Sequence, residues 1–188
     1  MCIRDRSKWL RGFVDAGLSP ENPADIGGLF RAGKSAMYLG GPWMSVGFTA
    51  AGLNYEITEW VQGTQLGTQG GALGYAIGKE SPNADLCWEF MRWWQEDVAQ
   101  IPWCECSAYP PANLLLVDHE RIQGNKNIRP YANQVLYATA PAAGVIQYAE
   151  CERVYLDAIE AVMLGADPEE IWPRAAEDTQ RILDKEPV

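Results

Sequence analysis

No apolar run in this 188-residue chain approaches the roughly 20 residues that a membrane-spanning helix needs, so no such helix is expected. Basic residues are scarce, 15 Lys and Arg against 25 Asp and Glu, and they form no cluster. A formal charge of -10 without a basic patch argues against a nucleic-acid partner and is read first as a source of solubility. Histidine is reduced to His119, and the five cysteines are Cys2, Cys87, Cys104, Cys106 and Cys151. A structural zinc site wants four well-spaced thiolate or imidazole ligands, and Cys104-x-Cys106 has neither the usual gap nor a second pair, so no metal is expected. The thiols leave two states open: a disulfide from Cys104 or Cys106 to Cys87 or Cys151 in an exported protein, and buried free cysteines. The opening Met1-Cys2-Ile3-Arg4-Asp5-Arg6 lacks the apolar stretch and small-residue cleavage site of an export signal. It resembles translated adapter sequence, and residues 1–6 are read as a non-native leader that replaces an upstream stretch carrying the signal.

What is present is a globular composition, 47% hydrophobic and 21% charged, long enough for one ordinary domain. Eight Trp and eight Tyr against four Phe favour flat amphipathic rings that serve ligand surfaces as well as cores. Residues 8–16 set Trp9, Leu10, Phe13 and Val14 at helical spacing before Gly17, which predicts a helix ending there. A polar loop over 19–28 leads to a short helical turn at 28–32. The apolar run 36–39 between glycines suits a buried strand, and Pro42 opens a helix over 43–51. Residues 55–61 alternate with the period of a strand, 62–71 carry four glycines and read as a loop, and 72–77 form another strand. Ser81 and Pro82 open a helix whose expected buried stripe is Leu86, Phe90, Trp94, Val98 and Ile101.

Beyond Pro102 an irregular stretch is expected through Tyr109-Pro110-Pro111, then a short helix near Ala112, a polar loop at 124–127 and a helix from about Pro130. Residues 145–164 place Tyr148, Cys151, Tyr155, Ile159, Val162 and Met163 on one helical face, which Gly165 terminates. Asp167-Pro168-Glu169-Glu170 combines a cap, a first-turn proline and two acids at the positive end of a helix dipole. The expected product is a helix-rich α/β chain. Its three short strands are too few for a covered sheet, which predicts strand edges without partners.

Phe30-x-x-Gly33-Lys34-x-Ala36-Met37-x-x-x-Gly41-Pro42-Trp43 resembles the F-x-x-G-K-x-A-M-x-x-x-G-P-W segment of the family 1 extracellular solute-binding proteins of ABC importers. The likeness continues in register through Gly70-Gly71, the strand after it, Lys79, Ser81-Pro82-Asn83 and Trp88-Glu89-Phe90, where Trp88 replaces a usual small residue. Pro110-Pro111 and Gly165-Ala166-Asp167-Pro168-Glu169-Glu170 extend it, so that it spans residues 8–183.

The resemblance implies a periplasmic-binding-protein-like type II two-lobe clamp, the maltose-binding-protein-like kind, with its N-terminal half missing from this fragment. Residues 7–69 would belong to lobe 2, 70–109 would make the hinge crossing and part of lobe 1, and 110–188 would return to lobe 2. The implied function is capture of a carbohydrate for import, with permease subunits as partners and no cofactor or catalysis. The implied location is the periplasm or the cell surface, with membrane contact only through a lipid anchor or the permease.

The ligand-binding residues so implied are Trp43, Gly41, Gly70, Gly71, Tyr148 and Glu152, with Trp60 and Tyr109 flanking. Trp43 would offer an apolar face to a sugar, with Gly41 leaving room for its approach, and Gly70 and Gly71 would present backbone N–H groups. Glu152 stands where the family often has an aromatic. Each has a plainer reading: a core indole, a flexible loop, a core tyrosine on an amphipathic stripe, a solvated acid. Two other classes compete. A carbohydrate-active hydrolase would need an acid pair or an activated nucleophile, for which Asp118-His119-Glu120 is the one local cluster, and a solvated helix start explains that cluster better. An acidic interaction module without a small ligand is the other. The chain alone is expected to bind sugar weakly or not at all and to expose a large apolar surface.

Overall fold

Asp167 stands ahead of the last helix in extended conformation, and its Oδ1 accepts the Glu169 backbone N–H at 2.9 Å. Pro168 fills the first helical position, where a missing N–H costs nothing, and Gly165 at φ +101° closes the helix before it. The computed structural model describes residues 3–21, 25–60, 62, 64–71, 73–140 and 144–185. Its helices begin with α1 (Ile3–Asp15), α2 (Ile26–Arg31), α3 (Trp43–Ala50), α4 (Ala84–Trp94) and α5 (Asp97–Ser107). They continue with α6 (Glu120–Gln123), α7 (Arg129–Val135), α8 (Tyr148–Met163) and α9 (Pro168–Leu183). Leu114–Leu116 adds a 3₁₀ turn where a short helix is expected near Ala112. The strands β1 (Thr68–Gln69) and β2 (Ala138–Thr139) pair in parallel, Thr68 opposite Ala138 and Gln69 opposite Thr139.

The chain divides into two compact units, Met1–Ile26 with Ala142–Val188, and Gly27–Pro141. The first unit packs α1, α8 and α9 around Ala158, Trp172 and Ala175, with Val154, Ile159 and Ile171 beside them. Trp172 Nε1 donates to the Oγ of fully buried Ser7 at 2.9 Å, and Ser7 Oγ donates to Arg4 O. Beside Ser7, Arg4 one turn before and Lys8 next to it both reach Glu169 at 2.6 Å, and Arg11 one turn on donates to Met163 O at the end of α8.

Buried Ser7 with half-buried Arg11 and Val14 marks the inward face of α1 at i, i+4 and i+7 spacing, and exposed Arg4 and Lys8 reach Glu169 from its edge. Of the four apolar residues at helical spacing, Val14 is half-buried and Trp9, Leu10 and Phe13 are exposed. Trp9 is 61% exposed and stacks edge-on to Phe13 on the outer side. The buried Ser7 hydrogen bond fixes which face of α1 meets α9, a choice that hydropathy alone does not make. Residues 3–6, expected to be a leader, are the first turn of this helix. Met1 and Cys2 lie outside the described residues.

The second unit is centred on Ile101, Cys104, Val117, Ile122, Ile128 and Ala132. A further aromatic cluster surrounds Phe48, 5.1 Å from Phe30, 5.6 Å from Tyr38 and 5.7 Å from Tyr55 between ring centres. The single helix expected from Ser81 to Ile101 is two. Gln95 and Glu96 interrupt it, Glu96 adopting an extended conformation before α5. The break puts Trp94 and Val98 on separate helices and destroys the shared stripe.

No residue of α4 is buried, and Leu86, Phe90 and Val98 are exposed, whereas Ile101 is in the core. Ser81 and Pro82 precede the helix instead of opening it, since α4 starts after Asn83. The irregular stretch expected after Pro102 is also displaced. The α5 helix carries Pro102 inside it and ends at Ala108, which takes the left-handed φ of 62°. Burial of Ile101 and Cys104 holds this turn despite the lost N–H.

The three segments with strand character, 36–39, 55–60 and 73–77, form no ladder among the described residues. Val61 and Ala72 of the expected strands lie outside those residues. A strand's stability is contributed by its neighbour, and without one the apolar side chains face solvent: Met37, Leu39, Tyr75 and, fully exposed, Leu73.

Candidate functional site

The loop joining α2 to α3 turns on glycine. Gly33 takes φ +69° and the Lys34 N–H returns to Leu29 O, which ends α2. Beyond it, Tyr38 and Trp43 bracket Gly40-Gly41-Pro42. Tyr38 points its ring into the Phe30 and Phe48 cluster. Trp43 begins α3 and is 57% exposed. A Cβ on Gly40 would collide with the Tyr38 ring, and a Cβ on Gly41 with Cζ3, Cη2 and Cε3 of Trp43. The space above Gly41, which sequence reading reserves for an approaching ligand, is thus filled by the indole itself.

Trp43 does not stand alone. Its ring lies 6.0 Å from Tyr109 at 32°, and Tyr109 lies 5.4 Å from Trp103 at 37°. Trp94 closes the row edge-on to Trp103 at 5.9 Å. Tyr109 is held by its surroundings: α5 ends at Ala108, Pro111 is buried, and buried Gln100 accepts the Ala112 N–H while donating to Trp94 O. Trp103 was not singled out by sequence reasoning. The signal lay in its six-residue distance from Tyr109, which becomes legible only once Pro102 is known to stay within α5.

Gly70 and Gly71 follow β1. The Gly70 N–H donates to Thr139 O at 2.9 Å, so that this amide extends the ladder and is not presented to a ligand. A Cβ on Gly70 would press on Ala138 at 2.9 Å, whereas Gly71 has open space. Trp60, one of the expected flanking residues, is exposed and its N–H donates to Gln134 Oε1, while Glu59 accepts from Asn133 Nδ2 at 2.8 Å and Tyr137 Oη at 3.4 Å. This polar network between the 55–60 segment and α7 was also unforeseen.

Tyr148 and Glu152 belong to the other unit. Tyr148 Oη donates to Glu152 Oε1 at 2.6 Å, and this bond, with the neighbouring carboxylate charge, raises the phenol pKa above its ordinary value. Both side chains are half-buried at the start of α8 and bind each other. His119 caps α6, its Nδ1 accepting the Arg121 N–H, while Arg121 pairs with Glu105. The Asp118-His119-Glu120 cluster is accordingly a helix start. The described cysteines are free thiols, with Cys104 buried and pushed up to about 11 by desolvation, and Cys106 exposed. Among the described residues no three His, Cys, Asp or Glu side chains converge on a metal position.

Residues 6–130 match the family described as bacterial extracellular solute-binding protein. The chain belongs to that family. Among relatives of this solute-binding protein, the galactooligosaccharide-binding protein of Bacillus subtilis (strain 168) is 26% identical over 171 residues, 88% of this chain and 40% of the relative. The maltodextrin-binding protein MdxE of the same organism is 25% identical over 116 residues, 59% of this chain and 28% of the relative. A crystal structure of a cyclo/maltodextrin-binding protein complexed with maltotetraose superposes with a TM-score of 0.79 at 20% identity. That match covers 95% of this chain and 48% of the other. The solute-binding chain thus spans less than half the length of these relatives and has part of the periplasmic-binding-protein fold.

Proposed function

We propose that this chain contributes to a carbohydrate-binding component of a bacterial ABC importer, which captures sugar without turning it over. The observation that carries the reading is the exposed indole of Trp43 at a glycine corner, continued by Tyr109 and Trp103. A sugar has an apolar C–H face and a hydroxyl rim. An indole plane takes the face by dispersion, and hydrogen bonds around it take the rim. Names of relatives that bind maltodextrin and galactooligosaccharide support a saccharide ligand.

In this reading the lobe assignments 7–69, 70–109 and 110–188 describe a hinged clamp, with Gly71 free to line the cleft through its backbone. Tyr148 and Glu152 would contribute a paired hydroxyl and carboxylate to hydroxyl recognition. The protein acts in the periplasm or at the cell surface and hands its ligand to permease subunits. The test is a tryptophan-fluorescence titration of the chain with maltotetraose and a galacto-oligosaccharide. A saturable change in the millimolar range, abolished by Trp43→Ala and unaccompanied by new reducing ends, is the expected result. Saturation that Trp43→Ala leaves unchanged overturns the carbohydrate reading of this corner, and released reducing sugar overturns the non-enzymatic one.

A further inference from the structure

The glycine pair ahead of α3 separates two rings: Tyr38 turns into the Phe30 and Phe48 cluster and Trp43 turns outward. Each ring occupies the volume that a Cβ on one glycine would need. Gly47, on the same helix as Trp43, has open space at its Cβ position, so the requirement is local to the corner. Gly41 does not have the left-handed φ that would by itself demand glycine. What makes glycine necessary there is the indole, whose six-membered ring rests on the backbone of the residue two positions earlier.

We propose that Gly41 is a positioning residue that acts through Trp43: its bare backbone is the seat that fixes the indole plane and holds it against Tyr109. The seat fixes the ring's angle before any ligand arrives, which reduces what binding must order. A methyl group at position 41 cannot share that volume. Because Trp43 is largely exposed, the ring can swing away, and a Gly41→Ala protein keeps its fold while losing the orientation of one aromatic ring. Gly41 thus touches the ligand problem through its neighbour and not by leaving space for the sugar. The consequence for affinity rests on the carbohydrate-binding reading above, whereas the seat itself is testable without sugar.

The experiment is a double-mutant cycle on the whole chain with Gly41→Ala, Trp43→Ala and both together, and Gly47→Ala as the control. The first readout is near-UV circular dichroism without ligand. Gly41→Ala should change the aromatic spectrum in the wild-type background and leave it unchanged in the Trp43→Ala background, and Gly47→Ala should change neither. The second readout is the fluorescence titration with maltotetraose, where Gly41→Ala should lower affinity by about tenfold and add nothing further once Trp43 is gone.

An equal spectral change in both backgrounds, or none in either, overturns the seat. A Gly41→Ala protein that does not fold still decides the matter: rescue of folding by Trp43→Ala supports the clash, and failure of rescue overturns it. A spectrum that behaves as expected beside affinities that ignore Trp43 retains the seat and sinks the carbohydrate reading.

Discussion

Trp172 is held by one hydrogen bond inside the helical unit, its Nε1 donating to buried Ser7 Oγ. Ser7→Ala leaves that indole N–H without its acceptor in a dry contact and should cost about 1–3 kcal/mol, measured by urea unfolding. Sequence hydropathy could not have found this bond, because a serine among Arg4, Lys8 and Arg11 reads as surface. Trp43 was legible, since the glycines and proline before it mark a corner, but the seat beneath its ring was not. Cysteine reactivity belongs to the same scale. Cys104 is buried with its thiol pushed up to about 11, and Cys106 three-dimensionally neighbours solvent. Alkylation of the folded protein near neutral pH should label Cys106 and spare Cys104, as peptide mass spectrometry will show; early loss of the Cys104 thiol would contradict the packing.

At the scale of elements, α9 is set by its first turn. Asp167→Ala removes the acceptor for the Glu169 N–H and should destabilise the unit by about 1 kcal/mol in chemical denaturation. Glu169 then ties α9 to α1, since bonds from Lys8 and Arg4 lower its pKa below the ordinary 4.5. A carboxylate with a depressed folded pKa adds stability above its unfolded value, and that contribution is lost as pH falls through the folded one. Amide exchange in α1 should therefore accelerate relative to α8 as the pH drops below 4.5, and Glu169→Gln should remove that pH dependence. The caps were readable from four consecutive residues because capping is local chemistry. The expected long helix from Ser81 failed for the opposite reason: Leu86, Phe90 and Trp94 keep helical spacing, yet only packing around Ile101 and Cys104 decides where the axis breaks.

For the molecule as a whole, the strand-like segments that form no ladder among the described residues and the exposed apolar residues of α4 should set its behaviour in solution. Tyr75, Ala76 and Ile77 with Leu86, Cys87, Phe90 and Met91 line an open apolar groove of about 460 Å³. Leu73 and Leu115, 103% and 89% exposed, add to the same apolar burden. The folded chain should bind an apolar dye and associate at raised concentration. Leu73→Asp with Leu115→Asp should shift sedimentation towards monomer without lowering the melting temperature. A dye-negative monomer before substitution would contradict the exposed surface. The large apolar surface was foreseeable from strand-like segments lacking partners, whereas its placement along α4 was not.

The sequence by itself determined the family, the glycine corner ahead of Trp43 and the helix ends at Gly165 and Asp167. Each rests on a few adjacent residues whose backbone and hydrogen-bond needs are met locally. Only the tertiary structure decided that α1 buries Ser7 against Trp172, that Gly70 spends its N–H on Thr139, and that Trp103 joins the row with Tyr109. Those outcomes depend on which distant groups meet. A buried donor must find an acceptor wherever the chain happens to bring one, and no spacing along the sequence encodes that.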